Sequence, residues 1–447
     1  MPPMPNPTLR RLASKSRAAL SALKRLSEKL WVRISAIAAL ALVAAGLSTA
    51  VGPFLPDELK GLIAPEAVED LLDVIAQSML AVTIFSLSVM VMVHRAVEGN
   101  WTPRAHRLLA RDHVTLTAIS VFLGGWLYAL AAQILLDATL VGGVEHVFLF
   151  FMTVLVVLLI VVVVMRWVSH LAGLGSLTQT GARLEEETRA AFAKRAAEPC
   201  LGGHCLGPDT PIPANARPVH AARTGWINTV DATTLEGIGA EAEGNGVPVF
   251  LLVPIGAFVA KGDVIARVPG PDERLEEVAE AITIGELRGF PDDPGYSLLA
   301  MSEVAQRALS PGVNDPGTAI EMLGRMLRAL EAWAPEEREG EVERPHLWSP
   351  PLAAGPLLQS AFLPIARDGA SQVEVVLATV AVLDRLAAHP DPSMAKAARS
   401  ASAATRARGE RTLDDPTDLE RLAQGPEAPE SSPVEAGPAR PLVRTAV

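Results

Sequence analysis

The stretch VFLFFMTVLVVLLIVVVVM, Val147–Met165, decides the fold. It runs 19 residues without an Asp, Glu, Lys or Arg. At about 1.5 Å rise per residue, a helix of that length nearly matches a hydrocarbon core of roughly 30 Å. Backbone in lipid must satisfy its own hydrogen bonds, and a helix does so. Three further uncharged runs precede it: Ile34–Val51 (18 residues), Val74–Val93 (20) and Val114–Leu136 (23). The expectation is an α-helical polytopic membrane protein with four transmembrane helices.

The charges between these runs alternate. The arm before the first holds eight basic residues, Arg10, Arg11, Lys15, Arg17, Lys24, Arg25, Lys29 and Arg33, against Glu28. Residues 52–73 reverse this, with six acids (Asp57, Glu58, Glu66, Glu69, Asp70, Asp73) against Lys60. Residues 94–113 return to Arg95, Arg104, Arg107 and Arg111 against Glu98 and Asp112. Residues 137–146 lack Lys and Arg, and Arg166 follows the last run. Basic loops stay on the cytoplasmic side, so both termini are expected in the cytoplasm. A cleaved signal peptide competes for the first run, because Leu47-Ser48-Thr49-Ala50 ends in small residues. The long arm and long apolar run favour a retained span. Leu20, Leu23, Leu26 and Leu30 fall at helical spacing, and the arm is expected to lie partly on the membrane as an amphipathic helix.

The chain is 447 residues long, 49% hydrophobic, with net charge −11. The acidic balance argues against nucleic acid as a partner. From residue 171 onward 277 residues remain, enough for one or two soluble domains. The only two cysteines, Cys200 and Cys205, would then lie in reducing cytoplasm, so a structural disulfide is not expected. With His204 they offer three soft ligands, one short of a closed zinc site, in a Gly- and Pro-rich setting. No metal or cofactor is assigned.

Domain boundaries follow from texture. Residues 1–30 form the basic arm and 31–170 the membrane domain. Residues 171–217 hold a polar helix, Arg183–Ala197, that extends the last span past Gly173 and Gly175, then a proline-rich linker over Pro199–Pro218. Residues 218–270 read as a small β module. Strands are expected at Gly225-Trp226-Ile227 and Val249–Val253, with a short helix over Thr233–Ala242 between them. Gly256 and Gly262-Asp263 supply tight turns, the latter between two strands. Pro254–Val268 resembles the hammerhead or barrel-sandwich module of biotinyl and lipoyl carriers, but Lys261 is not in their Met-Lys context, so packing or subunit contact is the expected role.

Residues 271–389 read as a helical domain. Leu275, Val278, Ala279 and Ile282 form one stripe, and Leu298–Leu309 another, ended by Ser310-Pro311-Gly312. Asn314 or Asp315 caps the next helix, with Pro316 in its first position and Thr318 in its first turn. That helix runs through Ile320, Leu323, Met326, Leu327 and Leu330. After a Pro/Glu-rich break at Pro335–Pro351, Leu357–Ala388 reads as one long helix. Residues 390–447 lack a sustained stripe and are expected to be mostly a disordered tail.

The segment Arg307–Ala319 (RALSPGVNDPGTA) is the most distinctive in the chain. Together with the four apolar runs it resembles a bacterial family of predicted membrane proteins, domain of unknown function 2254. Thr102-Pro103-Arg104, Gly225-Trp226-Ile227 with Asp231, Gly256–Asp263 and Phe362–Gly369 match as well. Gly317 departs from the pattern, which there has an aromatic or larger residue. The family implies architecture over residues 30–390 but no substrate, reaction or catalytic residue.

No phosphate loop, nucleophile elbow or zinc-protease helix occurs, and no catalytic residue is assigned, so the chain is not read as an enzyme. The spans carry mild polar groups (Gln77, Ser78, Thr83, Ser86, Ser88; Thr115, Thr117, Ser120, Gln133) that pack helices more readily than they line a pore, and Gly124-Gly125 permits close helix contact. No charged group lies within a run to couple a proton or sodium ion. Arg104, Arg107 and Arg111 with His94, His106 and His113 form a candidate cytoplasmic vestibule, or simply a basic loop at the headgroups. Ser310, Asn314, Asp315 and Thr318 form a candidate ligand or contact turn, weighed against plain helix capping. The leading functional expectation is a channel-like or transport-related homo-oligomer in the lipid bilayer with a cytoplasmic regulatory domain. The alternative is a non-conducting anchor that senses or scaffolds through that domain. The ligand, small molecule or ion, is left unidentified.

Overall fold

A computed structural model describes residues 30–51, 65–100, 102–104, 113–137, 145–171, 177–240, 246–289, 292–333 and 342–425. The basic arm lies outside the described residues. The chain divides into two compact units, 1–180 and 181–447.

The first unit is a bundle of α1 (Leu30–Val51), α2 (Pro65–Asn100), α3 (His113–Asp137) and α4 (Glu145–Leu171). All four apolar runs are helical. Among the described residues, three stretches are long and apolar enough to cross a membrane: Glu66–Met92, Val114–Leu136 and Leu149–Leu171. In α1 the apolar part that qualifies is the shorter Leu30–Ala44, so the expected first span is not among them. Helix α3 sits at the centre and packs against the other three. Two adjacent glycines make room for this. A Cβ on Gly124 would lie 2.8 Å from Ile37 Cβ of α1, and one on Gly125 would lie 3.0 Å from Ile160 Cδ1 of α4. Around them the interior is small or aromatic: Ala41, Ala118, Ala129 and Ala132 with Phe122, Tyr128, Leu72 and Leu149. In lipid, where no hydrophobic force drives helices together, close packing over small residues takes that role.

The second unit begins with α5 (Leu177–Ala197), whose first residues belong to the first unit. Two sheets follow. The five-stranded one has the order β1-β8-β4-β6-β2, from His204–Cys205, Leu347–Ser349, Val249–Leu251, Val264–Pro269 and Ala216–His220. Its β1, β8 and β4 run parallel, and β6 is antiparallel to β4 and β2. The other is antiparallel, β5-β3-β7, from Phe258–Val259, Gly225–Val230 and Ile282–Gly285. Leu235 of the short helix α6 (Ala232–Ala240) and Val278 of α7 (Asp272–Glu280) close one core with Ile227, Val249, Leu251, Ile265 and Leu347.

Several expectations change here. The linker contributes β1 and part of β2, the Pro/Glu-rich break contributes β8, and Ile282 leaves the helix stripe for β7. The sheets thus draw strands from outside 218–270. The Gly262-Asp263 turn lies between two strands as expected, but β5 and β6 belong to different sheets, so it carries the chain across rather than closing a hairpin. Gly262 takes φ +94 there, a left-handed conformation that costs glycine little. The two strand orders describe a small mixed sheet and a three-stranded antiparallel one, and do not by themselves establish a barrel-sandwich module.

The rest is helical: α8 (Pro294–Ala308), α9 (Pro316–Leu330), α10 (Ala354–Asp368), α11 (Val373–Ala387), α12 (Pro392–Thr412) and α13 (Pro416–Gln424). The single helix expected over Leu357–Ala388 is two, parted at Gly369, where a side chain would collide with Val375. The expected disordered tail is wrong over residues 392–424. Asp391 caps α12 by accepting from Ser393 N (2.8 Å), and Pro392 starts the helix. Its buried face, Ala395, Ala398, Ala401, Ser402, Thr405 and Gly409, is small rather than absent. Small residues bring the backbone close: a Cβ on Gly409 would lie 2.9 Å from both Leu422 and Val376.

Candidate functional site

The sequence-chosen turn joins α8 to α9. Helix α8 ends at Ala308, and the Ser310 hydroxyl donates to the Arg307 carbonyl (2.7 Å). The Ser310 carbonyl accepts from Val313 N and Asn314 N (3.0 and 2.8 Å). The residue that reverses the chain is Asn314 at φ 49, not Gly312. Asparagine tolerates that left-handed region better than most side chains. Asp315 is the cap: its carboxylate accepts from Thr318 N (3.0 Å) and Thr318 Oγ1 (2.6 Å). The Thr318 hydroxyl, then the backbone donors, hold its pKa below the usual carboxylate range.

The four residues therefore separate into two pairs. Asp315 and Thr318 satisfy one another at the helix start. Ser310 and Asn314 instead line an open cleft of about 650 Å³ with Gln306, Asp368 and Gln372. Gln372 Nε2 donates to Asn314 Oδ1 (3.0 Å), tying the turn to the start of α11. Arg307–Ala319 and Phe362–Gly369, both quoted above for the resemblance, meet in this cleft. Gln306 and Gln372 had no signal of their own, because they sit at the ends of helices remote in sequence, and Asp368 was marked only as part of the resembling segment. Gly317 is exposed, and a Cβ there would approach only Asp315 Oδ1, at 3.4 Å, so a larger side chain fits.

Of the vestibule, Arg104 is described and half-buried, in a short helical turn with Pro103. Arg107 and Arg111, with His106, lie outside the described residues, and nothing further follows for that candidate.

Sequence reasoning missed two charged clusters in the second unit. The first joins α5 to α9. Arg325, nearly buried, donates to Glu185 Oε2 (3.0 Å) and to Glu321 Oε1 (2.7 Å), while Arg328 also reaches Glu185 (2.7 Å). The Arg328 bond, against partial burial, holds the Glu185 pKa low. The second lines a smaller cleft of about 270 Å³, with Lys194, Arg195, Asp231, Asp292, Leu201 and Arg344 among its walls. Lys194 pairs with Asp292 (2.5 Å) and Arg344 with Glu198 (3.1 Å). These residues come from four separate segments, so no spacing could announce them.

The cysteines contradict the expectation. Cys200 and Cys205 are joined in a disulfide, with Cα atoms 5.2 Å apart. A three-ligand Cys-His-Cys reading has no thiolates to use in this state.

In the membrane unit the polar groups mostly answer to their own helices. Ser78, Thr83, Ser88 and Ser120 donate to carbonyls four residues back (2.5 to 2.8 Å). Thr153 does the same to Leu149 (2.8 Å), so the Tyr128 hydroxyl, 3.0 Å away, is the donor in their mutual bond.

Uncharacterised proteins of Mycobacterium tuberculosis strain CDC 1551 / Oshkosh, M. tuberculosis strain H37Rv and Mycobacterium bovis are similar, at 28%, 27% and 27% identity over 199 residues. The matched region is 40% of this chain and 37% of each of theirs, so the chain spans well under half the length of the curated relatives it matches. No solved structure matches. A family model described as "Predicted membrane protein (DUF2254)" matches residues 27–385, most of the sequence, and the chain belongs to that family.

Proposed function

We propose that this membrane protein is a non-conducting anchor whose second unit senses or scaffolds, with the Ser310–Gln372 cleft as its site for a small polar ligand or contact. The observation that supports this reading, against a path through one bundle, is the filled interior of the bundle. Phe122, Tyr128, Ala129 and Ala132 are 0% exposed at its centre, and Tyr128 spends its hydroxyl on Thr153. A water-filled path needs polar groups facing a gap, and these side chains face one another. The outward faces of α2 and α4 carry Ile84, Phe85, Phe151, Leu155 and Met165, which suit hydrocarbon. This reverses the order of the two sequence expectations.

The placement proposed is the bacterial inner membrane, with four spans, both termini in the cytoplasm and homo-oligomeric assembly. It rests on the alternation of loop charge and on the mycobacterial relatives. An oligomeric conduit between copies is the rival. Potassium and chloride flux through purified protein in liposomes separates the two. Flux equal to that of empty liposomes is expected. Reproducible flux abolished by Ser88→Leu, on the exposed face of α2, overturns the anchor.

A further inference from the structure

The geometry points to Cys200 and Cys205 as a reversible redox pair, a thiol–disulfide exchange site for an external dithiol. This does not depend on the ligand reading above. These are the only cysteines of the chain, six residues apart inclusive, in the loop that leaves α5. The loop is strained at the backbone. Cys200 and Leu201, neither a glycine, are consecutive left-handed residues at φ 47 and φ 60. Such positions are strained and persist where something over-determines them. The sulfur bridge is that constraint, and it closes on β1, a two-residue strand at the edge of the five-stranded sheet.

The two cysteines differ in exposure. Cys200 is fully buried, whereas Cys205 is half-buried. Exchange therefore starts at Cys205. A thiolate of the external dithiol attacks Cys205 Sγ and forms a mixed disulfide. The Cys200–Cys205 bond breaks, and its electron pair leaves on Cys200 Sγ, which takes a proton from solvent. The second thiol of the reductant, deprotonated, then displaces Cys205 Sγ, which is protonated in turn. Two electrons and two protons have moved, and the dithiol has become a disulfide. The reverse reaction needs a disulfide oxidant such as oxidised glutathione. The Arg344 guanidinium donates to the carbonyl of Leu201 (2.8 Å), the residue after Cys200, and so holds the loop on the side of the buried sulfur.

Breaking the bridge releases what it holds. Gly202 O accepts from Arg344 N (2.9 Å), Leu206 N donates to Ser349 O (2.8 Å), and the His204 ring stacks on Trp348 with centroids 4.5 Å apart. Leu201 also walls the charged cleft with Arg344 and Asp231, so redox state changes the shape of that cleft.

The test uses the full-length protein in detergent, poised in dithiothreitol buffers of graded potential without denaturant. Maleimide mass shift counts the thiols, and hydrogen exchange reads residues 200–206. The expected result is a single two-electron transition, with amide exchange at Leu201–Leu206 about tenfold faster on reduction. The Cys200→Ser/Cys205→Ser double variant should show the fast exchange at every potential. A disulfide that resists excess dithiothreitol, cysteines that resist oxidised glutathione once reduced, or reduction that leaves exchange unchanged would each overturn the proposal.

Discussion

Gln133 Nε2 of α3 donates to Asp73 Oδ1 of α2 at 2.6 Å, whereas Arg33 Nη1 of α1 donates to Thr117 Oγ1 near the start of α3 at 3.0 Å. The first contact pairs the beginning of α2 with the end of α3. The second pairs two beginnings. Helix α2 is thus antiparallel to α3, and α1 parallel to it, as in a chain threaded back and forth. The contacts also separate charge: Arg33 and the start of α3 share one end, while Asp73 and the end of α3 share the other. Alternating loop charge in the sequence and alternating helix direction in the bundle are two views of one arrangement.

The glycine pair on α3 should be intolerant of bulk. Gly124→Leu drives a side chain into Ile37, and overpacking of this kind costs about 1–3 kcal/mol. A lowered thermal midpoint in detergent is expected. Gly46→Ala, with nothing within 4 Å of the added carbon, serves as the control and should leave the midpoint unchanged.

Burial decides which arginine of the α5–α9 cluster matters. Arg325 has a side chain 9% exposed, against 52% for Arg328. Arg325→Met removes a buried partner from Glu185 and should cost about 3 kcal/mol. Arg328→Met should cost under about 1 kcal/mol, in keeping with a solvated pair. Denaturant unfolding followed by fluorescence gives both values, and equal losses would contradict the assignment.

Asn314 is exposed, so substitutions there act through its backbone conformation and its hydrogen bond with Gln372. Asn314→Val places a β-branched residue at φ 49 and should destabilise by about 1–2 kcal/mol. Asn314→Gly should relieve the strain while removing the Gln372 hydrogen bond. A ligand screened by thermal shift against wild type should then bind the glycine variant more weakly although its fold is intact.

Acid should loosen the attachment of α12. Burial pushes the Asp391 carboxyl up, but donation from Trp333 Nε1 (2.6 Å) and Ser393 outweighs it, and the net pKa is lowered. A folded pKa below the unfolded value contributes stability above the unfolded value, near 3.8, and loses it as pH falls through the folded one. Asp391→Asn should lower the thermal midpoint at neutral pH yet flatten its decline in acid. A mutant curve parallel to wild type would show that another group sets the acid limit.

Much of this architecture was legible because it rests on composition. Uncharged runs become helices whatever they touch, and Ser310-Pro311-Gly312 with Asp315-Pro316 marks a stop and a start by local chemistry. The sheets were obscure because their strands are two to six residues long and their partners remote, as with His204 beside Trp348. Helix α12 was missed because its buried stripe is alanine, whose value lies in the close approach it permits rather than in apolar area. The break at Gly369 was hidden under an apolar period that runs on through Val373 and Val376. The cleft followed the same division: Ser310 and Asn314 announced themselves by turn chemistry, while Gln306, Asp368 and Gln372 were brought there by the tertiary fold.

The central proposal is that the chain is threaded through a bilayer with the unit after residue 180 kept inside the cell. Paired reporter fusions in a bacterial host test this most directly. Alkaline phosphatase joined after Gly425 should be inactive, and green fluorescent protein at the same site fluorescent. Insertion between α1 and α2 should give the opposite pair. Active phosphatase after Gly425, or a fusion recovered from the soluble fraction without detergent, would contradict the account.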